Sequence, residues 1–262
     1  MVTVEQTDIL PVREPDAAIG SIRAAATYEL VVEQMRKAIF LGRFMPGDKL
    51  PPERELSLQM QVSRTTIREA IRVLEGEGLV SSKRGAGGGL TVLQQHKLNK
   101  AEVELYIENQ LHQLDSLFEF RIANEVAAAR LAATRRTKAH LARLKKAIEA
   151  MELLCETEKS RSIVANISRF SAWDSEFHLV IAEASNNQFL LKAVEDSRAG
   201  MFLPVGKVFS RLEDRANDHH QEILQAIEKQ DSDLAAQRMR LHIEATWESL
   251  KDLLPKSRKG RR

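Results

Sequence analysis

QVSRTTIREAIRVLEGEGLVSSKRGAGGGLTV, residues 61–92, decides how the first third of the chain folds. Ser63 is a good N-cap, and Ile67, Ala70, Ile71 and Leu74 recur at three- and four-residue steps behind it. That spacing predicts a helix from Arg64 to about Glu77, closed by Gly76 and Gly78. Arg64, Arg68 and Arg72 recur every four residues and share a different face. Like charges at that spacing repel and weaken an isolated helix, so something outside the fold is expected to neutralise them. Beyond the helix, LVSS, KRGAGGG and LTVL read as a small β-hairpin. Lys83 and Arg84 sit at its tip, where Gly85, Gly87, Gly88 and Gly89 let the backbone come close to a phosphate or a minor groove.

On the N-terminal side, LPPERELSLQMQ starts with Pro51 and Pro52, which suit a helix entry because the missing N–H is not needed there. Glu53 and Glu55 complement the dipole in the first turn. Before the turn GRFMPGD, an earlier helix is marked by Leu30, Val31, Met35, Ile39 and Phe40. Helices joined by a tight break and followed by a hairpin outline a winged helix-turn-helix. A duplex groove admits such a helix, and arginine grips phosphates or pairs bidentately with guanine. The plainer alternative is a solvated face with pairs to Glu69 and Glu75, followed by a glycine linker. Charge placement decides more than its sum. Residues 21–93 hold 11 Lys and Arg against 8 Asp and Glu, while the whole chain of 262 residues is only +2.

The C-terminal side changes texture. Residues 98–253 contain Pro204, Gly200 and Gly206 as their only proline and glycines, in long amphipathic stretches that predict an all-α bundle. The expected organisation is a disordered arm over 1–20, the DNA-binding domain over 21–93, a linker over 94–103, the helical domain over 104–253 and a basic tail over 254–262. The fold class is therefore mainly α, with a small hairpin wing. The single cysteine, Cys155, forms no internal disulfide and reads as a packed side chain. The first residues lack the pattern of a signal peptide, and no apolar run approaches the roughly 20 residues that span a bilayer, so a cytoplasmic protein with no membrane partner is expected.

Polar residues interrupt the apolar stripes of the bundle. In SRFSAWDSEFHLVIAEASNN, Asp174 and His178 lie four apart, within or beside the face of Phe170, Trp173, Phe177 and Ile181. His220 lines up with Ile223, Leu224 and Ile227, and His242 comes one turn after Met239. One carboxylate and three imidazoles facing inward can converge on a divalent transition metal and leave positions open for a ligand. They can equally be hydrogen-bonded core residues, and His219 rivals His220. Asn187 is expected to cap the following helix; His96, His112 and His140 read as surface residues.

GRFMPGDKLPPERELSLQMQVSRTTIREAIRVLEGEGLVSSKRGAGGGLTV closely resembles the DNA-binding domain of GntR-type bacterial transcription regulators, a likeness that runs over about 70 residues. It implies DNA contacts from Arg54, Arg64, Thr65, Thr66 and Arg68, with the wing tip at Arg84 and Gly85, and a structural role for Glu53 and Glu69. Residues 110–250 resemble, more diffusely, the FadR-type C-terminal ligand-binding (FCD) domain, a bundle of six or seven helices, through FEFRIANEVAAARLAA, WDSEFHLVIAEASNN and HQEILQAIEKQDSDLAAQRMRLH. In metal-binding members an Asp and a His four apart join two further His. Asp174, His178, His220 and His242 match that set, with Zn, Ni or Mn as the ion. The likeness also implies a small carboxylate effector beside the metal, for which Arg121 is the candidate clamp; its alternative role is a salt bridge to Glu125.

The resulting expectation is a non-enzymatic, metabolite-responsive regulator, a repressor that binds an inverted-repeat operator on double-stranded DNA as a homodimer. The rivals are a helical-bundle metalloenzyme acting on an organic acid and a DNA-architectural protein without an effector. A metalloenzyme needs an acid or base beside the metal, and no carboxylate beyond Asp174 is marked for that task.

Overall fold

Val31, Val32 and Met35 on α1 (Thr27–Phe40) meet Leu56 on α2 (Glu53–Met60) and the stripe Ile67, Ala70, Ile71 and Leu74 on α3 (Arg64–Gly76). This is the first of two main cores in the computed structural model, which describes residues 26–83, 85, 88–94, 99–200, 212 and 217–254. Ile67 and Leu74 are fully buried, so each contributes roughly 1.5–3 kcal/mol of transfer free energy. The break between α2 and α3 is local chemistry. Gln61 takes the left-handed conformation with φ 53°, Ser57 Oγ donates to Val62 O at 2.6 Å, and Ser63 Oγ accepts from Thr66 N at 3.1 Å.

The hairpin closes the same core. β1 (Val80–Lys83) and β2 (Gly89–Val92) run antiparallel with Val80 opposite Val92 and Lys83 opposite Gly89. Period-two alternation turns Val80, Leu90 and Val92 inward. The segment before α2 lies along β2, with Gly47 N donating to Val92 O at 2.9 Å and Leu50 N to Leu90 O at 2.8 Å. The wing is thus tied to the turn that introduces the helix-turn-helix.

The second core belongs to the bundle. It consists of α4 (Lys100–Arg135), α5 (Lys138–Cys155), the short α6 (Glu158–Arg161), α7 (Val164–Ala184), α8 (Gln188–Gly200), α9 (Asp218–Glu228) and α10 (Ser232–Lys251). Asn99 and Glu102 form a capping box that starts α4. Ala128, Ala129, Ala132 and Ala133 leave α4 narrow there, and Phe177, Ile181, Met239 and Ile243 belong to the same packed core. Asn187 Oδ1 accepts from Phe189 N at 3.0 Å, the cap expected at α8. His112 is exposed, whereas His140 is half-buried and closes a capping box with Thr137. Cys155 is buried.

The two parts touch. Lys37 Nζ pairs with Asp196 Oδ1 at 2.7 Å and Glu195 Oε2 at 3.7 Å, and Arg43 Nη2 reaches Glu195 Oε1 at 3.4 Å. Gly42 (φ +71°) lies so close to α7 that a Cβ there would fall 2.7 Å from Ala172 Cα. Among the described residues no helix is long and apolar enough to cross a membrane. The arm over 1–20, Arg84, His96 and all but the first residue of the 254–262 tail lie outside the described residues.

Candidate metal centre and DNA-reading surface

α7 places Asp174 and His178 one turn apart, so both project toward the same point between helices. α9 brings His220 and α10 brings His242 to that point. The four donor atoms lie within 4.8 Å of one another. His178 Nε2 is 3.1 Å from His242 Nε2, and Asp174 Oδ1 is 3.0 Å from His220 Nε2 and 3.5 Å from His178 Nε2. Donors bonded at about 2.0–2.2 Å to one ion stand roughly 3–3.5 Å apart at tetrahedral or right angles, so these separations suit a divalent ion. His219, the rival of His220, is only half-buried, and its ring stands 5.9 Å from that of His242; it is not among the four converging residues.

The outer shell orients the imidazoles. His220 Nδ1 meets Asn217 Oδ1 at 2.9 Å, and Asn217 Nδ2 donates to Ile148 O at 3.1 Å. His178 Nδ1 contacts the buried Glu125 carboxylate, off the ideal hydrogen-bond direction. A proton held on Nδ1 by these acceptors leaves the Nε2 lone pairs facing inward, the tautomer a metal requires. Burial lowers the pKa of His220 against the pull of Asp174. Burial and the two neighbouring imidazoles hold His242 well below the usual histidine value. Neutral rings are the ligating form. Burial alone would raise the pKa of Asp174, but the Arg198 guanidinium beside it outweighs burial and keeps the carboxyl ionised.

Arg121 is fully buried on α4 beside this cluster. Its Nε donates to Glu125 Oε1 at 2.6 Å and its guanidinium lies over the Phe118 ring. Nη1 and Nη2 are buried without a hydrogen-bond partner among the described residues. The two readings of Arg121 therefore coexist, since the salt bridge uses one edge of the fork and leaves the other. Glu125 is held well below the usual carboxylate range: burial works against it, but Arg121 and His178 prevail.

Arg198, Ser175 and Asn217 were not marked by sequence reasoning. Arg198 Nη2 contacts Asp174 Oδ2 and lies 3.0 Å from Ser175 Oγ. Its signal was faint: it continues the stripe Leu191–Val194 by one turn, where an apolar residue is ordinarily found.

At the other end, Arg54, Arg64, Thr65 and Arg68 are exposed on α2 and the first turns of α3. Thr66 is half-buried, and its hydroxyl lies 2.9 Å from Ser63 Oγ. Gly85 is exposed with φ +107°, a value that favours glycine. The repulsion expected along the arginine face is partly relieved from within. Glu53 Oε2 takes Arg68 Nε at 2.8 Å and lies 3.5 Å from Arg64 Nη2. These pairs are more than one-third exposed and strengthen the fold little. They hold the guanidiniums side by side at the helix N-terminus.

A winged helix-turn-helix joined to a helical domain with a buried Asp-His₃ cluster defines a DNA-binding regulator with a sensing domain. Residues 27–89 match the family described as bacterial regulatory proteins, gntR family, and residues 116–245 match the FCD domain. The chain is 31% identical over 229 residues to the Exu regulon transcriptional regulator of Escherichia coli (strain K12), covering 84% of this chain and 82% of that one. It is 27% identical to the Glc operon transcriptional activator of the same strain, covering 86% and 89%. HTH-type transcriptional regulator LutR of Bacillus subtilis (strain 168) is 36% identical over 151 residues, covering 57% and 64%. E. coli McbR/YncC shares the fold, with a TM-score of 0.51 at 19% identity over 87% of this chain and 99% of that one. The chain belongs to the GntR family, with an FCD effector-binding domain of the FadR type. It is a transcription regulator and not an enzyme, which sets aside the metalloenzyme reading.

Proposed function

We propose that this protein is a repressor released from an inverted-repeat operator when a small carboxylate binds beside a divalent metal held by Asp174, His178, His220 and His242. The observation that carries the reading is the convergence of those four donors next to Arg121, a buried guanidinium with two nitrogens that have no partner among the described residues. A buried cation with free donors favours a planar anion, and a carboxylate fits the open edge of the fork. Bound there, a divalent ion supplies a Lewis-acidic site for a second oxygen of the same effector. His178 and His220 keep their Nε2 atoms on the centre through Glu125 and Asn217, while Arg121 sets the effector's orientation. Zn, Ni and Mn all accept this donor set.

On the DNA side, Arg54, Arg64, Thr65, Thr66 and Arg68 are the contacts of the reading helices, and Arg84 and Gly85 those of the wing. A homodimer places two α3 helices in successive major-groove faces. It works in the cytoplasm, where its operator lies. Effector binding biases two arrangements of the heads and so changes operator affinity.

The test is a gel shift of Zn-, Ni- or Mn-loaded protein on its operator with a panel of small carboxylates. One of them should release wild-type protein, and R121M should hold the DNA without responding. If R64A and R68A leave sequence-specific binding intact, the DNA-reading assignment is wrong. If no carboxylate alters binding by metal-loaded protein, the sensor assignment is wrong.

A further inference from the structure

Arg198 lies on α8, the helix whose Glu195 and Asp196 pair with the DNA-reading domain. It is 6% exposed, contacts Asp174 Oδ2 and Ser175 Oγ, and leaves Asp174 Oδ1 facing His178 and His220. The guanidinium thus fixes which carboxylate oxygen is aimed at His178 and His220. On the same helix, two and three residues earlier, Asp196 and Glu195 hold Lys37 and Arg43 of the head. Asp196 is shared with Lys192 within α8.

The second contact is steric. Ala172, two residues before Asp174 on α7, is the residue against which Gly42 is pressed. Both helices that hold the Asp174 carboxylate, its own and the one carrying Arg198, therefore also touch the head. Exposed ion pairs contribute little each, but they lie next to a close-packed backbone contact that resists deformation.

We propose that Arg198 is a positioning residue for Asp174 and that α8, through Glu195 and Asp196, together with the Gly42–Ala172 contact, carries the state of the metal centre to the DNA-reading domain. This rests on the metal assignment above. Ligation ties α7 to α9 and α10 through Asp174, His178, His220 and His242. It stiffens the platform on which α1 sits, so the head is held more firmly when the centre is loaded.

Hydrogen exchange on the full chain, first stripped with EDTA and then given Zn²⁺, tests the link without requiring an operator. Zn²⁺ should slow exchange in residues 27–40 of the wild type by about fivefold or more, the lower end of ordinary coupling between sites. E195Q/D196N should bind one Zn²⁺ per chain and lose that slowing. R198M should lose it as well, while R198K, which keeps a cation on Asp174, should regain part of it. A slowing that persists in E195Q/D196N overturns the proposal, as does its absence in wild type that binds Zn²⁺. Should R198M fail to fold, the surface pair E195Q/D196N decides alone. A wild type that binds no Zn²⁺ removes the metal assignment itself, and this proposal with it.

Discussion

Asn217 illustrates how much of the centre depends on single side chains that are not ligands. Its Oδ1 holds His220 Nδ1 and its Nδ2 is tied to the backbone of α5 at Ile148. N217A should leave the fold intact and lower Zn²⁺ affinity about 10–100-fold, the usual effect of losing an orienting partner, as read by competition with a chromophoric chelator. Glu125 is a harsher case because it serves Arg121 and His178 together. E125Q leaves a buried guanidinium without its counter-charge, which should destabilise the metal-free chain by about 3–5 kcal/mol in denaturant unfolding. An unchanged midpoint would show that Arg121 has another partner.

At the level of elements, α3 combines a buried stripe and an arginine face on 13 residues. The stripe docks it and leaves Arg64 and Arg68 outward beside Glu53. Its start depends on Ser63, the side-chain cap that accepts from Thr66 N. S63A should cost about 1 kcal/mol, seen as a lower denaturation midpoint with unchanged slope. DNA affinity should fall with it, since fraying the first turn moves Arg64 and Thr65. A loss of affinity without loss of stability would instead make the Ser63 hydroxyl a DNA contact.

For the whole molecule, the centre gathers residues from α7, α9 and α10, and its outer shell from α4 and α8. Anything that binds only this assembled geometry stabilises the fold by mass action. At a free Zn²⁺ concentration of 100 times its dissociation constant, the gain should be about 2.7 kcal/mol, visible as a rise in Tm that EDTA reverses. H178A and H242A should show no such rise. A rise that survives both substitutions would place the ion elsewhere.

Much of this was legible in the chain itself because it rests on local rules. Ser63, the stripe Ile67–Leu74 and the glycine run specify cap, helix and wing through contacts a few residues apart. The four candidate ligands stood out as polar residues on apolar stripes, where burial costs free energy unless something pairs with them, but only the family resemblance joined them into one metal set. His219 stood as a rival to His220 in the sequence, and the packing of α9 against α4, α5 and α10 turns His220 inward. Arg198 lay beyond local reasoning altogether. Its partner is 24 residues away on another helix, and only the crossing of α7 and α8 makes a buried arginine affordable beside Asp174. The docking of Gly42 on Ala172 is likewise tertiary, because periodicity determines which face of a helix is apolar but not which neighbour covers it.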